Sequence, residues 1–262
     1  MNSCFKIRFR PFKAILLPVF LVFMLGCKGT KERDTIRIAV ASNLHYAIEP
    51  IVENFESKHG ISCEVILGSS GKLYAQIIEG APYDLFLSAD MKYPESLSRE
   101  GKTLDLPEVF AYGSLVLWTA NPVIKPSIEM LQEERIQHLA LPNPKIAPFG
   151  AAALQVLNNY GIYDKVSSKL VYGESVSQAN QFILSGAAEM GFTSLAIVKS
   201  PELSKVGQWI LIDSDAYDKL PHVIALINHQ NSSKEGARTF FEYLFSEEGQ
   251  AILKNFGYSV RE

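Results

Sequence analysis

The feature that most constrains this chain is a junction it repeats. A short apolar run stops at Ser, Asn or Gly, and hydrophobicity then recurs at helical spacing. The first instance is Ile36-Arg37-Ile38-Ala39-Val40-Ala41-Ser42-Asn43-Leu44, where the run to Ala41 reads as a strand. Leu44, Ile48, Ile51, Val52 and Phe55 then fall on one helical face. A Ser or Asn at such a point is expected to cap the helix, whose first N–H groups have no intrahelical acceptor. Those donors, with the positive end of the helix dipole, favour an anion. Pro50 lies inside this helix and predicts a kink or a short first turn, because it has no N–H.

The same rhythm continues. Gly60 ends the first helix, and Ile61 to Leu67 alternates as a second strand. Gly68-Ser69-Ser70-Gly71 follows, then Leu73, Ile77 and Ile78 at helical spacing, closed by Gly80 and Pro82. Asp84 to Ser88 reads as a third strand, with Asp90 capping a helix to about Arg99. After a longer strand at Ser114 to Thr119 the series restarts. Strands are expected at 139–141, 170–172, 190–193 and 222–228. Helices are expected from Ala151 to Tyr160, from Ser175-Val176 to Gly186, and over 232–245 and 246–256. This alternation predicts an α/β protein with a mainly parallel sheet. There is no internal sequence repeat and no long linker, so two lobes joined by crossing strands, with ligand between them, fit better than two tethered domains.

The amino terminus reads as an export signal. Lys6, Arg8, Arg10 and Lys13 precede the apolar run Ala14 to Leu25, and Gly26-Cys27 follows. That run is too short for a stable membrane span, which needs about 20 residues. Leu25-Gly26-Cys27 also resembles a bacterial lipobox, with Cys27 lipidated as the first mature residue. An ordinary cleaved signal is the alternative, since Met24 stands where the lipobox usually has Leu. Residues 27–35 read as a polar tether. Loss of 1–26 removes four of 25 basic residues and none of 28 acidic ones, leaving 21 against 28 and a formal charge of −7. Such a balance gives no reason to expect nucleic acid or an anionic membrane surface as partner. Cys63 would be left without a partner, which excludes a disulfide framework or a cysteine-based metal site.

Four helix starts stand out: Ser42-Asn43, Ser70-Gly71, Phe149-Gly150 and Ser175-Val176. Any one of them taken alone reads first as a plain cap. Four together, each after a strand end, lie where open α/β sheets bind ligands. Several blocks then carry a family resemblance: Ala39 to Leu44, Gly68 to Ile77, Gly80 to Asp90, Ala147-Pro148-Phe149-Gly150 with Ala152-Ala153, Gly191-Phe192, and the carboxyl-terminal Tyr243-Leu244, Gly249-Gln250 and Phe256-Gly257-Tyr258. In order, and over essentially the whole mature chain, these resemble the substrate-binding proteins of molybdate ABC transporters.

The resemblance implies a bilobed periplasmic-binding (type II) fold that is not an enzyme and needs no cofactor. Its ligand would be molybdate or tungstate, its partner a membrane ABC permease, and its state monomeric and extracytoplasmic. Carried over by position, the donors would be the Ser42 side chain, the Asn43 backbone, Ser70, the Phe149 backbone and the Val176 backbone. The metal would enter as an oxyanion held by Ser42, Ser70 and Val176, with no side chain ligating it directly. Some members of that family add a tyrosine hydroxyl after the Gly-Phe pair. Here the chain reads Thr193-Ser194-Leu195, so that contact is absent or comes from Ser194. Lobe one is expected over 31–115 with 222–262 and lobe two over 116–221, with strands crossing near Ser114–Val116 and Pro221–Val223.

Two rival readings stay open. One is a receptor for another tetrahedral oxyanion such as sulfate. The other is an enzyme on the same fold with Ser42 or Ser70 as nucleophile, for which His45 is the only nearby base. Gly68-Ser69-Ser70-Gly71-Lys72 lacks phosphate-loop spacing, and Leu73 replaces the magnesium-binding hydroxyl. Lys72 is expected at the cleft rim instead. His45, His59, His138, His222 and His229 show no zinc-helix spacing and read as surface or satisfied histidines.

Overall fold

The computed structural model describes residues 35–229 and 234–260. The export signal, Cys27 and the tether up to Asp34 lie outside the described residues. Thr35, assigned to the tether from sequence, is the first residue of strand β1.

The first series of elements is β1 (Thr35–Ala41), α1 (His45–His59), β2 (Ser62–Gly68), α2 (Ser70–Ile78), β3 (Leu85–Ser88), α3 (Lys92–Arg99) and β4 (Glu108–Gly113). The second is β5 (Leu115–Thr119), β6 (Leu139–Pro142), α4 (Pro148–Asn159), α5 (Tyr163–Val166), β7 (Leu170–Gly173), α6 (Val176–Leu184), β8 (Met190–Ser194), α7 (Leu195–Val198) and β9 (Gln208–Leu211). Strand β10 (Leu220–Leu226) and helices α8 (Lys234–Leu244) and α9 (Glu247–Asn255) complete the described chain.

Two five-stranded sheets result, in the orders β2-β1-β3-β10-β4 and β7-β6-β8-β5-β9. Strand β1 runs parallel to β2 and β3, whereas β10 is antiparallel to β3 and β4. Likewise β6 is parallel to β7 and β8, and β5 is antiparallel to β8 and β9. The mainly parallel sheet expected from sequence thus takes the form of two mixed sheets, each with four strands in one direction and one against them. The antiparallel strand of each sheet arrives from the other series: β5 follows β4 directly, and β10 follows β9. Local periodicity marks a strand but says nothing about the direction of a distant one.

Strands β4 and β9 were not foreseen. Both lie at sheet edges: β9 alternates between half-buried and exposed positions, and β4 buries only Phe110 and Ala111 between more exposed ends. The inner strands β3, β5, β6 and β8 are buried at every residue, as expected for strands covered on both faces. In β1, successive residues serve opposite faces. Ile38 and Val40 pack with Phe55 of α1, Phe240 of α8 and Leu253 of α9, while Ala39 packs with Leu73 of α2 and Leu97 of α3. Helix α1 continues through Pro50 and is preceded by a 3-10 turn over Ser42–Leu44. No described helix is long and apolar enough to cross a membrane.

Candidate functional site

The four strand-to-helix junctions meet. A small pocket is lined by Ser42, Asn43, Ser70, Phe149 and Val176, with Ser69, Ala41, Ala89, Ala147 and Pro148 between them. All five residues singled out in the sequence thus share one wall-to-wall space. Ser69 was missed; it is next to Ser70 in the chain, and its buried Oγ has no hydrogen-bond partner.

Each junction leaves its donors differently. After β1, Ala41 takes the cap position of the 3-10 turn and no side chain caps it, so the capping role expected of Ser42 is corrected. Ser42 and Asn43 are nonetheless buried against the cavity. At α2 the Ser70 Oγ accepts from the Ala89 N–H at 3.0 Å, which leaves its own proton to donate. At α4, Pro148 occupies the first turn, where a missing N–H costs nothing, and Phe149 supplies the next one. The expected start at Ala151 moves back three residues for this reason. A β-carbon at Gly150 would lie 2.1 Å from the Pro142 carbonyl oxygen, so this helix start sits directly on the end of β6. At α6 the Ser175 Oγ accepts from Gln178 N at 3.3 Å, and Val176 begins the helix.

Among the described residues, no Lys, Arg, His, Asp or Glu lines the cavity. The field inside therefore comes from hydroxyls and from converging helix starts. The mouth is bridged. The Gly71 N–H donates to the Ile146 carbonyl at 2.9 Å, and the Tyr93 hydroxyl donates to the Lys145 carbonyl at 3.3 Å. Lys72, expected at the rim from the sequence, is about half exposed and paired: its Nζ is 2.7 Å from Glu174 Oε1, itself about half exposed.

Behind the cavity lies a buried polar cluster that the sequence did not reveal. Asn43 Nδ2 is 2.5 Å from His222 Nε2 and 3.1 Å from the Tyr258 hydroxyl. Burial pushes the His222 pKa down to about 4 against the opposing pull of the Leu220 carbonyl, and burial pushes Tyr258 up. Ser194 does not line the cavity; its Oγ accepts from Ala196 N at the start of α7. His45 lines a separate pocket with Tyr46, Ser177 and Asn180. It makes no hydrogen bond to Ser42 or Ser70 among the described residues, so neither serine has the base that a nucleophile requires. No group of His, Cys, Asp and Glu among the described residues could hold a metal ion.

Two α/β lobes, with helix starts from both gathered around an uncharged pocket, are the architecture of a receptor that binds a small solute between them. The chain belongs to the bacterial extracellular solute-binding protein family, whose model matches residues 36–259. It is a binding protein and not an enzyme. Among its relatives, the molybdate-binding protein ModA of Azotobacter vinelandii is 34% identical over 241 residues, covering 91% of this chain and 94% of that one. The molybdate-binding protein ModA of Rhodobacter capsulatus is 32% identical over 239 residues, covering 91% and 93%. The solved structure of the Azotobacter vinelandii periplasmic molybdate-binding protein aligns with a TM-score of 0.82 at 33% identity, over 87% of this chain and 100% of that one.

Proposed function

We propose that this protein captures molybdate or tungstate between its lobes and delivers it to a membrane ABC permease. The convergence of four helix starts on one cavity without a charged side chain carries this reading. A dianion stripped of water needs many directed donors, and a hydrogen bond to a charged group contributes roughly 1.5–3 kcal/mol. The Ser42 and Ser70 hydroxyls and the N–H groups of Asn43, Phe149 and Val176 are the donors in this proposal. A buried Lys or Arg would add attraction together with its own desolvation cost. Neutral donors avoid that cost and leave discrimination to size and shape. Relatives named for molybdate binding support this choice of oxyanion.

The lobes in this proposal are 31–115 with 222–262, and 116–221, turning about the crossings near Ser114–Val116 and Pro221–Val223. The protein acts outside the cytoplasm as a monomer, exported by residues 1–26 and anchored through a lipid on Cys27. Titration calorimetry of the purified protein against molybdate, tungstate, sulfate and phosphate tests the assignment. Saturable heat with the first two is expected. Silence with both overturns it, and tighter binding of sulfate transfers the site to the rival oxyanion.

A further inference from the structure

Asn43 faces two ways. Its residue lines the cavity, while its carboxamide joins a buried cluster with His222 and Tyr258, which are 1%, 0% and 4% exposed in that order. The proton positions in this cluster follow from its acceptors. His222 Nδ1 is 3.1 Å from the Leu220 carbonyl, which can only accept, so Nδ1 carries the ring proton. Nε2 of the neutral ring is then an acceptor and takes one Asn43 N–H at 2.5 Å. The second Asn43 N–H goes to the Tyr258 oxygen at 3.1 Å, and the Tyr258 O–H donates to the Asn43 backbone carbonyl at 3.2 Å. Reversing the carboxamide would set its oxygen against the Nε2 lone pair, so the orientation is locked.

The position of His222 gives the cluster a task. It lies near the start of β10, the strand that enters the first sheet from the second. The Phe149 ring packs against it with centroids 6.1 Å apart, and a β-carbon at Gly113 would lie 2.6 Å from its Cε1. One imidazole therefore touches the Asn43 junction, the crossing next to β5 and the Phe149 junction.

We propose that His222 and Tyr258 are positioning residues for the anion, in which the neutral imidazole, acting as acceptor, holds the Asn43 peptide N–H toward the ligand and ties it to the strand about which the lobes turn. This rests on the oxyanion reading above. Around the imidazole the Phe110, Phe149 and Tyr258 rings and the Leu220 carbonyl form the packed shell, and Tyr258 is its titratable member. Protonation of His222 would set N–H against N–H at Asn43, so affinity falls as pH is lowered.

The test uses the full protein labelled with 15N, with the ring resonances of His222 assigned from their loss in His222→Phe. Molybdate affinity and stopped-flow release are compared for wild type, His222→Phe and Tyr258→Phe. The expected results are a ring protonated at Nδ1 and about tenfold weaker binding in each variant, arising mainly from faster release. A ring protonated at Nε2 overturns the proposal. So does a lowered melting temperature with an unchanged release rate, which would make the cluster merely structural. If His222→Phe does not fold, Tyr258→Phe and the wild-type ring spectrum decide. Failure of the wild type to bind either molybdate or tungstate overturns the oxyanion reading itself, and is thereby distinguished.

Discussion

The two lobes are built on the same plan and furnish the cavity by different means. Their sheets share strand order and the sense of every pairing. The first lines the cavity with the hydroxyl-bearing Ser42, Ser69 and Ser70, the second with Phe149 and Val176, which can offer only backbone. A common topology thus guarantees that helix starts face each other, because each follows the carboxyl end of a parallel strand. It does not decide whether a donor is side chain or peptide. The inserted strands differ as well: β5 is wholly buried and lacks a titratable group, whereas its counterpart β10 carries His222.

The largest expected effect breaks the hydroxyl side. Replacing Ser42 and Ser70 together by Ala should weaken oxyanion binding roughly 10²- to 10⁴-fold, the loss of two hydrogen bonds to a charged group. Calorimetry reads this directly, and a loss below tenfold would erase the contrast between the lobes. Acid should next separate the inserted strands. In the unfolded chain a histidine takes a proton below about pH 6.5, whereas buried His222 does so only near 4. Its contribution is therefore complete above pH 6.5 and is lost as pH falls toward 4, a change of about 3 kcal/mol. Urea denaturation across that window, compared with His222→Phe, isolates this group; parallel curves for the two proteins would refute it.

Closure gives a smaller effect. A β-carbon at Gly71 would meet the Tyr93 hydroxyl at 2.6 Å and Ile146 Cα at 3.0 Å. Gly71→Ala should cost about 1–3 kcal/mol in affinity through overpacking at the mouth. The melting temperature of the free protein should stay within the wild-type range, and a large drop would place the clash inside one lobe. Lys72→Gln removes a half-exposed ion pair with Glu174 and should change affinity by about 0–1 kcal/mol, an effect that fades with added salt. Val176→Ala comes last. It keeps the peptide donor, so affinity should be nearly unchanged, and a loss as large as that of the serine pair would show that shape and not the N–H matters there.

Much of the architecture was legible where neighbours in sequence decide the outcome. The switch from period two to helical spacing after Ala41, after Gly68 and after Gly173 marks three junctions, and the cavity-lining residues sit at those switches. Elsewhere the local signal was weak or misleading. Edge strands β4 and β9 carry only short or partly exposed apolar stretches, too little to stand out from the flanking loops. Ser42 looked like a cap because caps and ligand donors share residue types and positions. His222 looked ordinary because nothing near it in the chain announces Asn43 or Tyr258.

By itself, then, the sequence determined the inner strands, the helix starts at Ser42, Ser70 and Val176 and the uncharged character of the residues at them, since periodicity and capping act over a few residues. It also carried the family pattern from Ile36 onward. Tertiary structure decided the direction of β5 and β10, the pairing of Lys72 with Glu174, the bridge from Gly71 to Ile146 and the cluster behind Asn43. Those contacts join residues from about 75 to 215 positions apart, and at such separations a short-range sequence pattern holds no record of which groups will meet.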